Sequence, residues 1–408
     1  GFDASNVQKT LNGCPVSQFP VLCDYVKRVL ISDQMPSLGS TAKERENRLK
    51  RGGLTIKTLI DPKAQQAAEE AVASTVGATD PVWGGSVLIQ PGTGLITAMA
   101  QSRTKLGDGE GETWLQANAS SYFGGVGGFQ AGSTFKPFVI ATALEQGVPT
   151  STSFESKSNI QFHGMKFKNC EGPFTYTGYY DPKNYDGDHG NINMLEATQK
   201  SVNTYFVQLE AKVGICASID TAQKLGVKLA NGTDMRSMAD YPSWVLGVAE
   251  VTPLSMAEAY ATFANRGVHC NPIILQSVQT KDGTEVEIPS ADCKQVISPE
   301  VADGVNSVLS TVMNPPGTGT PARMPDGRPQ AGKTGTTNDT QSVWFAGYTP
   351  DMAGVAYIAA DVTSSRFKGK DVKSIDRMRM STGKILEGSG GRDAGGIWKS
   401  AMSAALKD

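Results

Sequence analysis

The spacing of apolar positions changes several times along the chain, and each change marks an element. Apolar residues recur at helical spacing around Phe19–Leu30, and Ala42–Lys50 is a second, strongly charged helical stretch. Gly52-Gly53-Leu54-Thr55-Ile56-Lys57-Thr58-Leu59 is short and β-prone. Asp61–Val76 is rich in Ala, Gln and Glu and opens with Asp-Pro, a helix start in which Asp caps and Pro takes the first turn. From Gly85 the pattern changes: SVLIQPGTGLITAMA is two apolar strands around a Pro-Gly-Thr-Gly turn, a hairpin. A glycine-rich loop, Tyr122–Phe129, precedes a helical run from Ser133 to Gln146. Residues 150–190, rich in Ser, Gly, Tyr and Asn, form a long excursion of weak regularity.

Helical patterns return at Asn193–Val213 and Thr252–Asn265. Lys333–Thr337, Val343–Tyr348 and Gly354–Asp361 predict three strands, the last two joined by Thr349-Pro350-Asp351, and Trp398–Lys407 predicts a final helix. Strands at both ends with helices between them imply an α+β fold in which N-terminal and C-terminal strands share one sheet.

Composition narrows the classes. With 408 residues, 39% of them hydrophobic and 19% charged, the chain can bury a substantial core and is too apolar for disorder. A net charge of -2 argues against a general nucleic-acid binder. No apolar run approaches the roughly 18–20 residues that span a bilayer, and the opening GFDASNVQKTLNG lacks the features of a signal peptide. The chain is therefore expected to be soluble, yet nothing in it reads as a natural start. The six cysteines form no CxxC pair and the three histidines stand alone, so a zinc site is not expected. An even count without metal spacing fits disulfides, with Cys14–Cys23 and Cys270–Cys293 favoured because each closes a short loop.

Three short motifs carry the candidate chemistry. Ser133-Thr134-Phe135-Lys136 is an S-x-x-K match, a weak signal because Ser40, Ser102, Ser365 and Ser381 open the same pattern. Context separates Ser133: Gly132 precedes it and Phe135, Phe138, Val139 and Ile140 follow. The serine thus opens a buried helix with Lys136 one turn along. Free N–H groups at a helix start suit a developing oxyanion, and a buried lysine with a lowered pKa can serve as general base. Ser201-Val202-Asn203 occurs once; by itself it reads as a cap or turn. Lys333-Thr334-Gly335-Thr336 also occurs once, with the plain reading of a strand entry with a glycine bulge. Its glycine equally signals close approach of a ligand to the backbone, its threonines suit a carboxylate, and its lysine adds positive charge.

In the order S-x-x-K, S-x-N, K-T-G, the motifs resemble the signature of penicillin-binding proteins and class A β-lactamases. The resemblance covers roughly residues 20–405. GSTFKPFVIATALEQG is similar to the nucleophile helix of class A penicillin-binding proteins, GNINMLEATQKSVNTYFVQL to their S-x-N segment, and GTGTPARMPDGRPQAGKTGTTNDTQSVWFAGYTP to their K-T-G strand and hairpin. RGGLTIKTLIDPKAQQAAEEAV is similar to the linker between glycosyltransferase and transpeptidase domains, which implies a linker over 1–80 and a transpeptidase domain over 81–408.

That family's fold is an antiparallel sheet flanked by helices, with an all-helical subdomain. The resemblance implies Ser133 as nucleophile, Lys136 as base, Ser201 as proton relay beside Lys333, and Asn203, Thr334, Gly335 and Thr336 as substrate-binding residues. It further implies D-Ala-D-Ala stem peptides as substrates, covalent inhibition by β-lactams, no metal or organic cofactor, and the outer face of a bacterial plasma membrane as location. Cell-wall elongation or division proteins are the implied further partners. Two features depart from the pattern. Gln341-Ser342-Val343-Trp344 stands where many relatives carry an aspartate before Trp-Phe, and the 150–190 excursion with Cys170 has no evident counterpart. The rival readings are a DD-carboxypeptidase, a β-lactamase, and a non-enzymatic penicillin-sensing or scaffold domain. No segment resembles the β-lactamase glutamate loop.

Overall fold

The computed structural model describes residues 13–407. Its centre is a five-stranded antiparallel sheet with strand order 331–336, 342–348, 353–360, 82–89, 96–101. The two N-terminal strands form the predicted hairpin, and Val82–Ile89 pairs in register with Ala353–Ala360, which joins the chain ends in one sheet. Both faces are covered, so VWGGSVLI, SVWFAGY and AGVAYIAA are buried throughout and show no alternation of polarity.

Ten α-helices are described: α1 (Pro20–Ile31), α2 (Ala42–Lys50), α3 (Pro62–Ala73), α4 (Lys136–Glu145), α5 (Met194–Gln199), α6 (Asn203–Val213), α7 (Ile215–Leu225), α8 (Pro253–Ala264), α9 (Pro299–Val312) and α10 (Gly395–Ala405). Helices α3 and α10 pack on one face of the sheet and on each other. The buried Trp398 of α10 donates its indole N–H to the Gly347 and Gly354 carbonyls, pinning that helix to the strands. On the other face α8 leads into a helical region in which α4 touches α6, α7 and α9. Helix α4 is apolar all round because it runs through the middle of that region, and every residue from Lys136 to Ala143 is buried.

The segment read as a linker is built into this body: Leu54–Thr58 pairs antiparallel with Leu275–Thr280 in a separate small sheet, and α3, capped by Asp61, packs against the strand 96–101 and α10. The two favoured disulfides, Cys14–Cys23 and Cys270–Cys293, are formed, and a third joins Cys170 to Cys216. This third bridge spans 46 residues, so loop length alone gave no reason to expect it. Among the described residues no helix is long and apolar enough to cross a membrane, and no group of three His, Cys, Asp or Glu is placed to hold a metal.

Two predicted elements differ in detail. Ser133 lies in a short 3-10 turn, Gly132–Phe135, which runs directly into α4 at Lys136. The helix expected over Asn193–Val213 is broken: α5 ends at Gln199, α6 starts at Asn203, and Ser201 between them has a left-handed backbone at φ 56°. A non-glycine residue is held there only when its surroundings fix it.

Candidate active site

The turn carrying Ser133 is wedged between three elements. Its floor is the aromatic cluster of Phe135, Phe138 and Trp244, with Phe135 centred 5.1 Å from Trp244. Behind it, the buried Tyr260 hydroxyl of α8 donates to the Thr134 carbonyl at 2.8 Å. In front lies the edge strand Ala331–Thr336. Gly132 has φ +59°, and a β-carbon there would lie 2.7 Å from the Thr336 carbonyl oxygen; one on Gly335 would lie 2.4 Å from the Ala131 oxygen. Only hydrogen at both positions lets turn and strand approach so closely.

The strand's open edge supplies backbone donors. Thr337 N–H donates to the Ser342 carbonyl on the neighbouring strand. Because N–H directions alternate along a strand, that of Thr336 turns the other way, toward Gly132 and Ser133. The departure at Gln341–Trp344 bears on the same junction: the Ser342 hydroxyl and Trp344 indole N–H both donate to the Gln130 carbonyl, at 2.6 and 2.9 Å. Those bonds tie the second strand to the chain just ahead of the turn that carries Ser133.

The three motifs converge on the Ser201 hydroxyl. Lys136 Nζ donates to Ser201 Oγ at 3.0 Å and to the Ser201 carbonyl at 2.9 Å, and Lys333 Nζ donates to the same Oγ at 2.8 Å. Lys136 also donates to Asn203 Oδ1 at 2.7 Å, and Lys333 to its neighbour's carbonyl, that of Thr334, at 2.9 Å. The strained backbone of Ser201 thus aims both its oxygens at the lysines. Ser133 is 8% exposed and its hydroxyl bonds to no protein group among the described residues. Thr334 is nearly buried and its hydroxyl meets that of Thr318 at 2.8 Å, whereas Thr336 is exposed on the cleft side.

Both lysine side chains are fully buried. Burial, then the charge of Lys333, pulls Lys136 well below the ordinary lysine range, with Asp186 opposing in part. Burial alone brings Lys333 down to about 7. Two ammonium groups sharing one hydroxyl repel, which disfavours charge on both lysines at once and eases loss of a proton from Lys136. Among the S-x-x-K matches this separates Ser133 from the rest: Lys43, Lys105, Lys368 and Lys384 are all exposed. Sequence reasoning missed Thr318, in the lead-in to the K-T-G strand, and Asp186, in the 150–190 excursion, because neither stands within a motif.

A serine in a close-packed turn, with two buried lysines meeting on one hydroxyl beside it, is the arrangement that the resemblance to penicillin-recognising serine acyltransferases implies. Comparison with known proteins agrees. The profile described as "Penicillin binding protein transpeptidase domain" matches residues 84–377. The chain belongs to that family.

Penicillin-binding protein 1A of Mycobacterium tuberculosis is 30% identical over 380 residues, covering 89% of this chain and 41% of the relative. The protein of the same name from Aquifex aeolicus is 31% identical over 238 residues, covering 58% of this chain and 30% of the relative. The chain thus spans less than half the length of these curated relatives. Among solved structures, PonA1 from Mycobacterium tuberculosis aligns with a TM-score of 0.68 at 26% identity, covering 94% of this chain and 92% of that one. Its complex with penicillin V aligns at 0.65 and 28% identity, covering 89% and 88%.

Proposed function

We propose that the chain is the D,D-transpeptidase portion of a cell-wall enzyme, joining peptidoglycan stem peptides through an ester on Ser133 and acylated there by β-lactams. The observation that carries this reading is the Ser201 hydroxyl, which accepts from both Lys136 and Lys333.

Ser133 Oγ attacks the carbonyl between two terminal D-alanines while its proton passes to the Lys136 amine. The Ser133 and Thr336 N–H groups stabilise the oxyanion. Ser201 Oγ then gives its proton to the departing amine and takes one back from the Lys136 ammonium, which returns to the amine. That nitrogen leaves as D-alanine, the C–N bond breaks, and the acyl group stays on Ser133. A second stem's amine then attacks the ester, its surplus proton leaves by the same groups, and an amide cross-link forms. Asn203 holds the donor peptide. Lys333, with the Thr334 and Thr336 hydroxyls, receives the terminal carboxylate.

The relatives' penicillin-binding names and the penicillin V complex of a neighbour of similar fold support β-lactams as ligands here. We further assign 1–80 as the connection to a preceding domain, 81–408 as the transpeptidase, and the outer face of a bacterial plasma membrane as the site of action.

The discriminating experiment supplies a thioester analogue of a D-alanyl stem peptide together with a D-amino acid as acceptor. Amide product rising with acceptor concentration, at the expense of hydrolysis, is the expected result. Hydrolysis indifferent to the acceptor would make the chain a carboxypeptidase, and no turnover at all would leave a binding module.

A further inference from the structure

Helix α6 begins at Asn203 and lacks a cap of its own: Val202, at the N-cap position, offers no side-chain acceptor. Its second residue is nevertheless satisfied from outside. Asn184, twenty residues earlier in the 150–190 excursion, accepts the Thr204 N–H on Oδ1 at 3.0 Å. The same amide donates from Nδ2 to the Ser156 carbonyl at 2.9 Å and to Thr204 Oγ1 at 3.1 Å. Asn184 is only 6% exposed, so its amide is spent on these bonds. A side-chain oxygen on the second N–H is the bond an N-cap residue makes, here supplied across space.

The residue before it acts on the site directly. The Lys183 carbonyl accepts from Asn203 Nδ2 at 2.8 Å, while Asn203 Oδ1 accepts from Lys136 Nζ at 2.7 Å. With both ends of its amide engaged, Asn203 is held in one orientation, oxygen toward the lysine. The excursion is itself braced against α6 and α7. Gln208 donates to the Glu155 carbonyl, Tyr205 to the Thr152 carbonyl, and the Cys170–Cys216 bridge ties the hairpin at 166–175 to α7.

We infer that Asn184 is a positioning residue for the acylation reaction: it caps α6 from the excursion and, with the Lys183 carbonyl beside it, fixes the Asn203 amide that holds Lys136. This rests on the reading of Ser133 as the acylated serine. It gives the excursion, otherwise without counterpart in the motif pattern, a function in the site.

The test is a double-mutant cycle on the second-order rate of acylation by benzylpenicillin, using Asn184→Ala, Asn203→Ala and the pair. If Asn184 acts through Asn203, Asn184→Ala slows acylation by about tenfold or more, and the pair is no slower than Asn203→Ala alone. Effects that multiply would overturn the inference. A readout beyond fold integrity is the acid limb of the pH–rate profile. Lys136 is faced by Lys333, Asp186, Ser201 and Asn203; loosening the Asn203 oxygen weakens its ammonium form. The limb therefore moves to lower pH in Asn184→Ala, at unchanged adduct stoichiometry. A smaller reactive fraction with an unmoved limb would mean a purely structural role. Should Asn184→Ala fail to fold, Asn184→Ser, which keeps an acceptor for Thr204, takes its place in the cycle. Wild-type protein that forms no Ser133 adduct would overturn the underlying reading; wild-type acylation with multiplying effects overturns only this one.

Discussion

Ser133→Ala leaves the protein folded and unable to form any penicilloyl adduct. The substitution removes one oxygen that bonds to no protein group among the described residues, so it breaks no hydrogen bond of the fold and opens almost no cavity. Phe135 still fills its place against Trp244, and the Gly335 approach is untouched. Thermal unfolding should coincide with wild type while the labelled band after a fluorescent penicillin disappears entirely. Residual labelling of the alanine variant would show that another serine is the nucleophile.

Lys136→Ala is expected to lower acylation by about 10²–10⁴-fold, the usual contribution of a positioned general base. The geometry makes Lys136 hard to replace. Its Nζ is fixed by the Ser201 carbonyl and hydroxyl and by Asn203, and burial with the neighbouring Lys333 charge favours loss of its proton. Lys333 cannot take over, because its Nζ is held by the Ser201 hydroxyl and the Thr334 carbonyl. Acylation by the free enzyme should rise with pH as Lys136 loses its proton. It should fall again as pH passes about 7, where Lys333 becomes neutral and no longer attracts the β-lactam carboxylate. Lys333→Ala should abolish that alkaline limb as well as weaken binding. Stopped-flow acylation across pH checks both, and a Lys136→Ala variant reacting at the wild-type rate would overturn the base assignment.

Much of this site was legible because each motif sits where local pattern is strong. The apolar run after Ser133 predicts a buried helix, and Lys333–Thr337 reads as a strand whose glycine marks a close approach. The break at Ser201 was legible only in part: Ser201-Val202-Asn203 reads as a cap or turn, yet Thr198 and Val202 continue a helical pattern, and the two lysines that meet Ser201 at φ 56°, Lys136 and Lys333, are distant in sequence. Helix α9 lies outside the elements that periodicity predicted, although Ser298-Pro299-Glu300 is a sound helix opening and Ser298 does cap it. Leu275–Thr280 gains its strand character from pairing with Leu54–Thr58, more than 200 residues earlier, a partner no local window contains. The excursion was opaque for the same reason: its short strands, its bridge to Cys216 and the reach of Asn184 to Thr204 all depend on contacts across the chain.

The ester on Ser133 is expected to form quickly and hydrolyse slowly. Rapid hydrolysis needs a carboxylate that activates water behind the ester, and the convergent triplets supply lysines, hydroxyls and an amide only. Glu210 is fully buried and donates nothing to the site, held by the Val245 N–H, while Asp186 lies on the exposed rim bonded to His189. Intact mass with peptide mapping, followed over time in excess benzylpenicillin, tests this most directly. The predicted result is one penicilloyl group per chain, on the peptide containing Ser133, persisting for minutes to hours while the excess drug is barely consumed. An adduct on Ser40, Ser102, Ser365 or Ser381, or drug turnover of about one per second or faster, would contradict it.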